Sequence, residues 1–232
     1  MSSNLGRRVA AEGVGSFFLF AAVIGSGIMA EALAGGNTAV ALIGNTLATG
    51  AILFVLIAML GPMSGAHFNP AVSLVMALRR DIGWREAGLY VVAQIAGGLI
   101  GALAVHVMFN MPLWEYSLKS RTGVGQWLGE AVATFGLILT ILATARHRPA
   151  LVPASVALYI TSAYWFTSST SFANPAITVV RSLTNSFSGI APSDVPAFVV
   201  AQLVGAIMGL AAASLLLAHD DPSQSAVGRN RA

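Results

Sequence analysis

The tripeptide Asn-Pro-Ala occurs twice, at residues 69–71 and 174–176, and each copy opens an apolar segment that runs to Leu78 or to Leu183. Each segment has about ten residues, so as a helix it reaches roughly halfway across a bilayer. Asparagine caps helix N-termini and proline fits the first helical turn, so each segment is predicted to form a short helix beginning at its asparagine. Half-length helices need longer ones around them to be buried in a membrane.

Six longer apolar segments surround the two short ones, and each is predicted to span a membrane. Hydrophobic residues make up 56% of the 232-residue chain and charged residues only 9%, far below the level of soluble domains. A signal peptide is the alternative for the first segment, but Glu12 interrupts it and further spans follow. The predicted spans are 9–32, 40–60, 87–109, 126–145, 150–166 and 195–218.

Basic residues are distributed unequally between the two predicted faces of the membrane. Nine of the twelve Lys and Arg residues lie before the first span, after the second and fourth spans, or in the tail. The positive-inside rule therefore predicts that both termini are cytoplasmic. The three exceptions are Lys119, Arg121 and Arg181. Because topology explains the net charge of +3, nucleic-acid binding is not predicted.

Three short sequences recur in the same order in each half of the chain, and they pair Glu12 with Glu130. The aligned pairs are Ala11–Phe20 with Gly129–Ile138, Phe68–Val75 with Ala173–Val180, and Ala93–Leu103 with Ala201–Ala211. Each half contains three spans, so the second half is predicted to be inverted, with a substrate path at the interface. The predicted units are residues 1–116, residues 117–219 and a disordered polar tail at 220–232.

Asn69 and Asn174 are predicted to meet head to head near the bilayer midplane, because an inverted repeat brings the starts of the two short helices together. Irregular backbone at that depth must be buried in protein or line a watery cavity. Two helix N-termini that face one point repel a cation. Amide N–H groups there would orient water and disfavour a proton wire. The pattern therefore predicts a pore that passes uncharged, hydrogen-bonding solutes.

The paired motifs resemble those of the aquaporin and aquaglyceroporin (major intrinsic protein) family, over about residues 8–218. "SGAHFNPAV" at Ser64–Val72 is similar to the first family signature, and the later "NPA" is similar to the second. The resemblance implies an all-α membrane protein with six transmembrane helices, two re-entrant half-helices and an inverted 3+3 repeat. It also implies a pore in each subunit of a homotetramer in the bacterial inner membrane. The implied pore residues are Asn69, Pro70, Ala71, Asn174, Pro175 and Ala176.

The same resemblance assigns roles to three further polar residues. It implies that Glu12 and Glu130 brace the loops that carry the two asparagines. A buried glutamate needs partners such as backbone N–H groups, which agrees with that role. His67 is similar to the family's loop histidine, for which a structural or cytoplasmic-gate role is favoured over a metal site, because no second ligand is near in sequence.

The predicted selectivity filter departs from the family pattern. Members usually carry arginine directly after the second Asn-Pro-Ala, where this chain has Ile177. The remaining filter positions, counted from the motifs, fall on Thr49, Ser162 and Ser171. Water-selective members place aromatic and histidine side chains at the two helix positions, whereas polyol-conducting members place aromatics at two of the four. The expected throat is wide and weakly charged, because isoleucine lacks the five N–H donors of arginine.

Arg181 lies four residues beyond Ile177 and so shares its helix face, about 6 Å further out. Two alternatives follow. Arg181 either leans back toward the throat and replaces the missing charge, or extends to the outer surface as an interfacial anchor.

The filter without arginine after the second motif resembles that of bacterial family members associated with arsenic resistance. The resemblance therefore implies passive passage of water, glycerol-like polyols and neutral arsenic hydroxides such as arsenite or methylated forms, with no cofactor and no metal. A strict water channel is one alternative. An ion-coupled secondary transporter is another, although it usually needs more intramembrane charges. An enzyme is not expected, because His106 and His219 are isolated and neither a carboxylate pair nor a phosphate-binding loop is apparent.

Overall fold

Eight α-helices make up most of residues 4–218, the part of the chain that the computed structural model describes, and no strand occurs in that part. Residues 1–3 and 219–232, including His219 and the predicted tail, lie outside it. The predicted all-α fold of six long and two short helices is confirmed. The helices are α1 (Leu5–Leu33), α2 (Thr38–Ser64), α3 (Pro70–Leu78), α4 (Trp84–Met108), α5 (Val124–His147), α6 (Val152–Phe166), α7 (Pro175–Arg181) and α8 (Val195–Leu216).

The long helices have the dimensions of membrane spans. Five of them are long and apolar enough to cross a bilayer by length and composition. The sixth, α6, has 15 residues, but the 3-10 turn Pro149–Leu151 precedes it directly. Together they rise about 28 Å, close to the thickness of the hydrocarbon core. The first two helices begin earlier than their predicted spans because the side chains of Asn4 and Asn37 cap them.

The two halves of the chain use the same helix pairings. Helix α1 packs along α4, and α5 packs along α8 in the same way. Both contacts depend on a glycine: a Cβ at Gly97 would overlap the carbonyl oxygen of Gly13, and a Cβ at Gly205 would overlap that of Ala131. Small residues let helix backbones approach closely in membranes, so these glycines set the spacing of both pairs.

Helices α3 and α7 are the two half-length helices, and both begin where the sequence predicted. Asn69 and Asn174 are the N-caps, and Pro70 and Pro175 occupy the first turns. Helix α7 ends at Arg181, two residues before the predicted boundary at Leu183. The N-terminal ends of the half-helices meet, and a cavity lies beside that meeting point.

Candidate functional site

A cavity of about 280 Å³ lies between the two halves, and both capping asparagines line it. Its wall is mostly apolar and follows residues spaced four apart along the long helices. On α6 these are Val152, Val156, Ile160 and Tyr164. Residues four apart lie on one helix face, so each long helix that lines the cavity presents one narrow stripe to it.

The side chain of each asparagine crosses to the opposite loop. Asn69 Nδ2 donates to the carbonyl oxygen of Ala173 (2.7 Å), and Asn174 Nδ2 donates to that of Phe68 (2.8 Å). Their Oδ1 atoms accept from the backbone N–H groups of Ala71 and Ala176 in their own half-helices. An amide nitrogen carries two N–H groups, so one N–H of each asparagine remains available to the cavity.

The residue before each asparagine has a left-handed backbone conformation. Phe68 and Ala173 both have φ of +47°. This conformation costs a non-glycine residue roughly 1–2 kcal/mol, so surrounding bonds must hold it. In each case the carbonyl accepts from the opposite asparagine, while the N–H donates to a buried glutamate. The sequence carries no signal for this feature, because neither residue type favours the conformation.

Glu12 is fully buried and binds the loop before Asn69 with both carboxylate oxygens. One oxygen accepts from the His67 N–H (2.9 Å), and the other accepts from the Phe68 N–H (2.7 Å). Ser64 and Gln94 donate to the same carboxylate. The carboxylate thus joins helix α1 to the loop through two bonds and to α2 and α4 through one bond each.

Glu130 repeats this arrangement in the second half. Its two oxygens accept from the N–H groups of Phe172 and Ala173, each at 2.8 Å. Gln202 donates to it at 2.6 Å and also donates to Thr178, as Gln94 does to Ser73 in the first half. The glutamate and glutamine matches in the sequence repeat therefore correspond to equivalent hydrogen bonds.

The structure brings together three of the four positions counted for the filter. Thr49, Ser171 and Ile177 line the cavity and are each less than 5% exposed. The prediction for Ser162 was wrong: this residue is exposed, and its hydroxyl donates to the Tyr159 carbonyl on its own helix. Tyr164, two residues later, lies in the cavity wall instead.

The error at Ser162 has a simple geometric cause. Two residues along a helix correspond to a rotation of about 200°, so Ser162 and Tyr164 face opposite sides. The stripe of residues spaced four apart on α6 ends at Tyr164 and excludes Ser162. That stripe was the signal in the sequence that could have identified Tyr164.

Arg181 lines the cavity at the C-terminal end of α7 and is 1% exposed. The interfacial-anchor alternative for this residue is therefore wrong. Its Nε donates to the Ser188 carbonyl, and its guanidinium carbon lies 3.4 Å from the centroid of the Phe172 ring. Thr49 and Tyr164, whose hydroxyl oxygens are 3.3 Å apart, complete this part of the wall. The cavity wall near Ile177, which was expected to be weakly charged, therefore includes one arginine, and it also includes two aromatic rings.

Two further cations, Lys119 and Arg121, lie in the loop before α5. Arg121 donates to the carbonyls of Gly189 and Ser169, which lie on either side of α7 in the chain, and so ties both flanking loops together. Burial lowers the pKa of Arg121 to about 10. Burial, and then the charge of Arg121, lower the pKa of Lys119 to about 8. Both values remain above 7, so both side chains are positively charged at neutral pH.

His67 lies at the other end of the cavity. It lines the wall, its Nδ1 is 3.0 Å from the Ser73 hydroxyl, and its ring packs edge-on against Tyr90 at 5.2 Å. Among residues 4–218, no group of three or more His, Cys, Asp or Glu residues could hold a metal ion.

Comparisons with known proteins agree on one family. The Major intrinsic protein family profile matches residues 1–170. Aquaglyceroporin AqpS of Rhizobium meliloti (strain 1021) is 56% identical over 214 residues, which cover 92% of this chain and 91% of that protein. The glycerol uptake facilitator protein of Bacillus subtilis (strain 168) is 32% identical over 96 residues, 36% of this chain and 35% of that protein.

A solved structure supports the same fold. The X-ray structure of the aquaglyceroporin from Plasmodium falciparum superposes with a TM-score of 0.68 at 20% sequence identity. The match covers 89% of this chain and 94% of that chain. It establishes the arrangement of long and half-length helices.

Proposed function

This chain belongs to the major intrinsic protein family of membrane channels, which are not enzymes, and we propose that it conducts glycerol-like polyols and other small uncharged solutes together with water. The observation that carries the proposal is the pair of capping asparagines in one cavity wall. Each can offer one amide N–H to a passing hydroxyl or water oxygen while its other groups stay bonded to protein.

The outer part of the wall has the chemistry that a polyol needs. The rings of Tyr164 and Phe172 offer apolar surface to the carbon chain of the solute. Thr49 and Arg181 offer hydroxyl and N–H groups to its hydroxyls. These four residues, together with Ser171 and Ile177, are the proposed selectivity filter.

Permeability measurements with the purified protein in liposomes test this proposal. We expect stopped-flow light scattering to give protein-dependent permeation of glycerol and urea as well as water. The flux should be non-saturable and independent of ion gradients, because a channel needs no coupling ion. Water flux with glycerol excluded would support a strict water channel, and saturable, ion-driven flux would support a secondary transporter; either would contradict the proposal.

We further propose that neutral arsenic hydroxides, arsenite and methylated forms, pass by the same route. They are compact and carry hydroxyl groups, like polyols, and the wall beside the second asparagine is the apolar side chain of Ile177. Uptake of arsenite into the same liposomes tests this part separately. Glycerol flux without arsenite flux would remove the arsenic hydroxides from the proposed solutes.

Arg181 is proposed to repel cations at the outer part of the pore, supplementing the N-terminal ends of α3 and α7. Replacing it by alanine removes a buried charge from the wall, so we expect Arg181→Ala to increase proton leak about tenfold, corresponding to about 1.4 kcal/mol. A pH-sensitive dye inside the liposomes measures the leak. Unchanged leak at normal glycerol flux would assign cation resistance to the midplane alone.

The remaining proposals concern organisation in the membrane. The inverted repeat supports two structural halves, residues 1–116 and 117–219, and the charge distribution supports cytoplasmic termini. Family membership supports a homotetramer with one pore in each subunit, in a bacterial inner membrane. Crosslinking in native membranes tests the tetramer, and accessibility of terminal tags tests the orientation.

A further inference from the structure

Arg181 is held by a backbone carbonyl and an aromatic ring rather than by a carboxylate. Its Nε donates to the Ser188 carbonyl, its guanidinium stacks on Phe172, and no salt bridge to it occurs within residues 4–218. A carbonyl leaves the full positive charge in place. The position of that charge in the pore therefore depends on where the loop carrying Ser188 lies.

That loop is attached to helix α1 within a buried polar cluster to which α2 also contributes. The Ser188 hydroxyl, fully buried, donates to the Val23 carbonyl at 3.0 Å. Asn45 of α2 donates to the same carbonyl at 2.8 Å and to the Ser26 hydroxyl at 2.9 Å. The bond from Ser188 to Val23 joins the second half of the chain to the first, and Asn45 fixes the Val23 carbonyl that accepts it.

Gly27 leaves the space that this attachment requires. A Cβ built on Gly27 would overlap the Ser188 hydroxyl and would approach the Asn45 amide nitrogen to 3.6 Å. The same Cβ would lie 3.4 Å from the Ser188 Cβ, an ordinary contact. An alanine at this position is therefore expected to displace the serine hydroxyl specifically and to break its bond to Val23, which removes this attachment of the loop that holds Arg181.

We propose that Ser188, Asn45 and Gly27 are positioning residues that set the depth and orientation of Arg181 in the pore, and so determine solute selectivity without touching the solute. Ser188 acts through its two ends: its hydroxyl binds α1, and its carbonyl binds the arginine. This inference rests on the proposed channel function.

The test compares Ser188→Ala with Arg181→Ala, singly and together, in liposomes. The readout is the ratio of erythritol to glycerol permeability, which is independent of the amount of active protein. We expect Ser188→Ala to raise this ratio about threefold, the size of effect that one lost hydrogen bond produces. The double variant should match Arg181→Ala alone, because residues acting through one group are not additive.

Ser188→Thr keeps the hydroxyl and should retain most of the wild-type selectivity. Gly27→Ala should raise the ratio as well. In the double variant with Ser188→Ala, the ratio should equal that of Ser188→Ala alone, because the hydroxyl that the added Cβ would overlap is then absent. Ser214→Ala is the matched control, since this serine also donates to a carbonyl but lies on α8 away from the cavity.

Three results would overturn the inference. The first is an unchanged ratio in both Ser188→Ala and Gly27→Ala. The second is an effect of Ser188→Ala that adds fully to that of Arg181→Ala. The third is an effect of Ser214→Ala as large as that of Ser188→Ala. Failure of the wild-type protein to conduct glycerol would instead contradict the proposed function. The two failures are therefore distinguishable in one set of experiments.

Discussion

Replacing Ile177 by arginine is expected to convert the proposed broad channel into a narrow one. Glycerol and urea permeability should fall about tenfold or more, a barrier increase of at least roughly 1.4 kcal/mol, while water permeability falls much less. Ile177 lines the cavity one residue after the Asn-Pro-Ala of α7, so the larger side chain must occupy solute space. The measurement is stopped-flow light scattering, expressed as the ratio of glycerol to water permeability.

The position of Arg181 strengthens this expectation. It lies four residues further along the same short helix, so both guanidinium groups would share one helix face. Like charges on one face repel, which disfavours packing of the introduced arginine along the wall toward Arg181 and directs it across the cavity. Ile177→Met is the matched control, because methionine adds length without charge or N–H donors. An equal loss in Ile177→Met would attribute the change to bulk, and an unchanged ratio in Ile177→Arg would contradict a filter at this position.

The sequence was informative where the two halves repeat each other. The predicted pairing of Glu12 with Glu130 corresponds to equivalent hydrogen bonds, because each glutamate lies on the first helix of its half. The half-helices were predictable because Asn and Pro act locally, as the cap and the first turn. Local chemistry and internal symmetry therefore identified the starts of the short helices and the buried carboxylates.

The cavity wall around Arg181 could not be predicted in the same way. Counting along the chain from a motif does not determine the rotation of a helix that a loop separates from it. The count was wrong by two residues and selected Ser162 instead of Tyr164. Phe172 enters the wall through backbone conformations, φ of +50° at Ser171 and +47° at Ala173, that these residue types do not favour. The buried Arg181 donates to the Ser188 carbonyl, a contact that no sequence pattern predicts.

Replacing Glu130 by glutamine is expected to destabilise the protein and reduce its permeability strongly. Phe172 donates to one carboxylate oxygen and Ala173 donates to the other. A glutamine must turn its NH₂ group toward one of these N–H groups in either orientation, which leaves a buried donor unsatisfied. Such a loss costs about 1–3 kcal/mol, and more where the acceptor was charged. The bond from the Ala173 N–H to Glu130 is one of those that hold the left-handed conformation of Ala173. Its loss therefore weakens the support of the loop that carries Asn174.

Thermal unfolding in detergent and glycerol flux in liposomes measure the two effects together. We expect Glu130→Gln to lower the unfolding temperature by several degrees, and Glu12→Gln to act in the same direction, because His67 and Phe68 donate to its two oxygens in the same way. Glu31→Gln is the matched control, since Glu31 is exposed at the end of α1. Unchanged unfolding together with unchanged glycerol flux in both buried variants would mean that the carboxylates are not required as double acceptors. Normal unfolding with lost glycerol flux would instead place their role in the conducting geometry, because the two asparagines would then be misaligned in an otherwise intact fold.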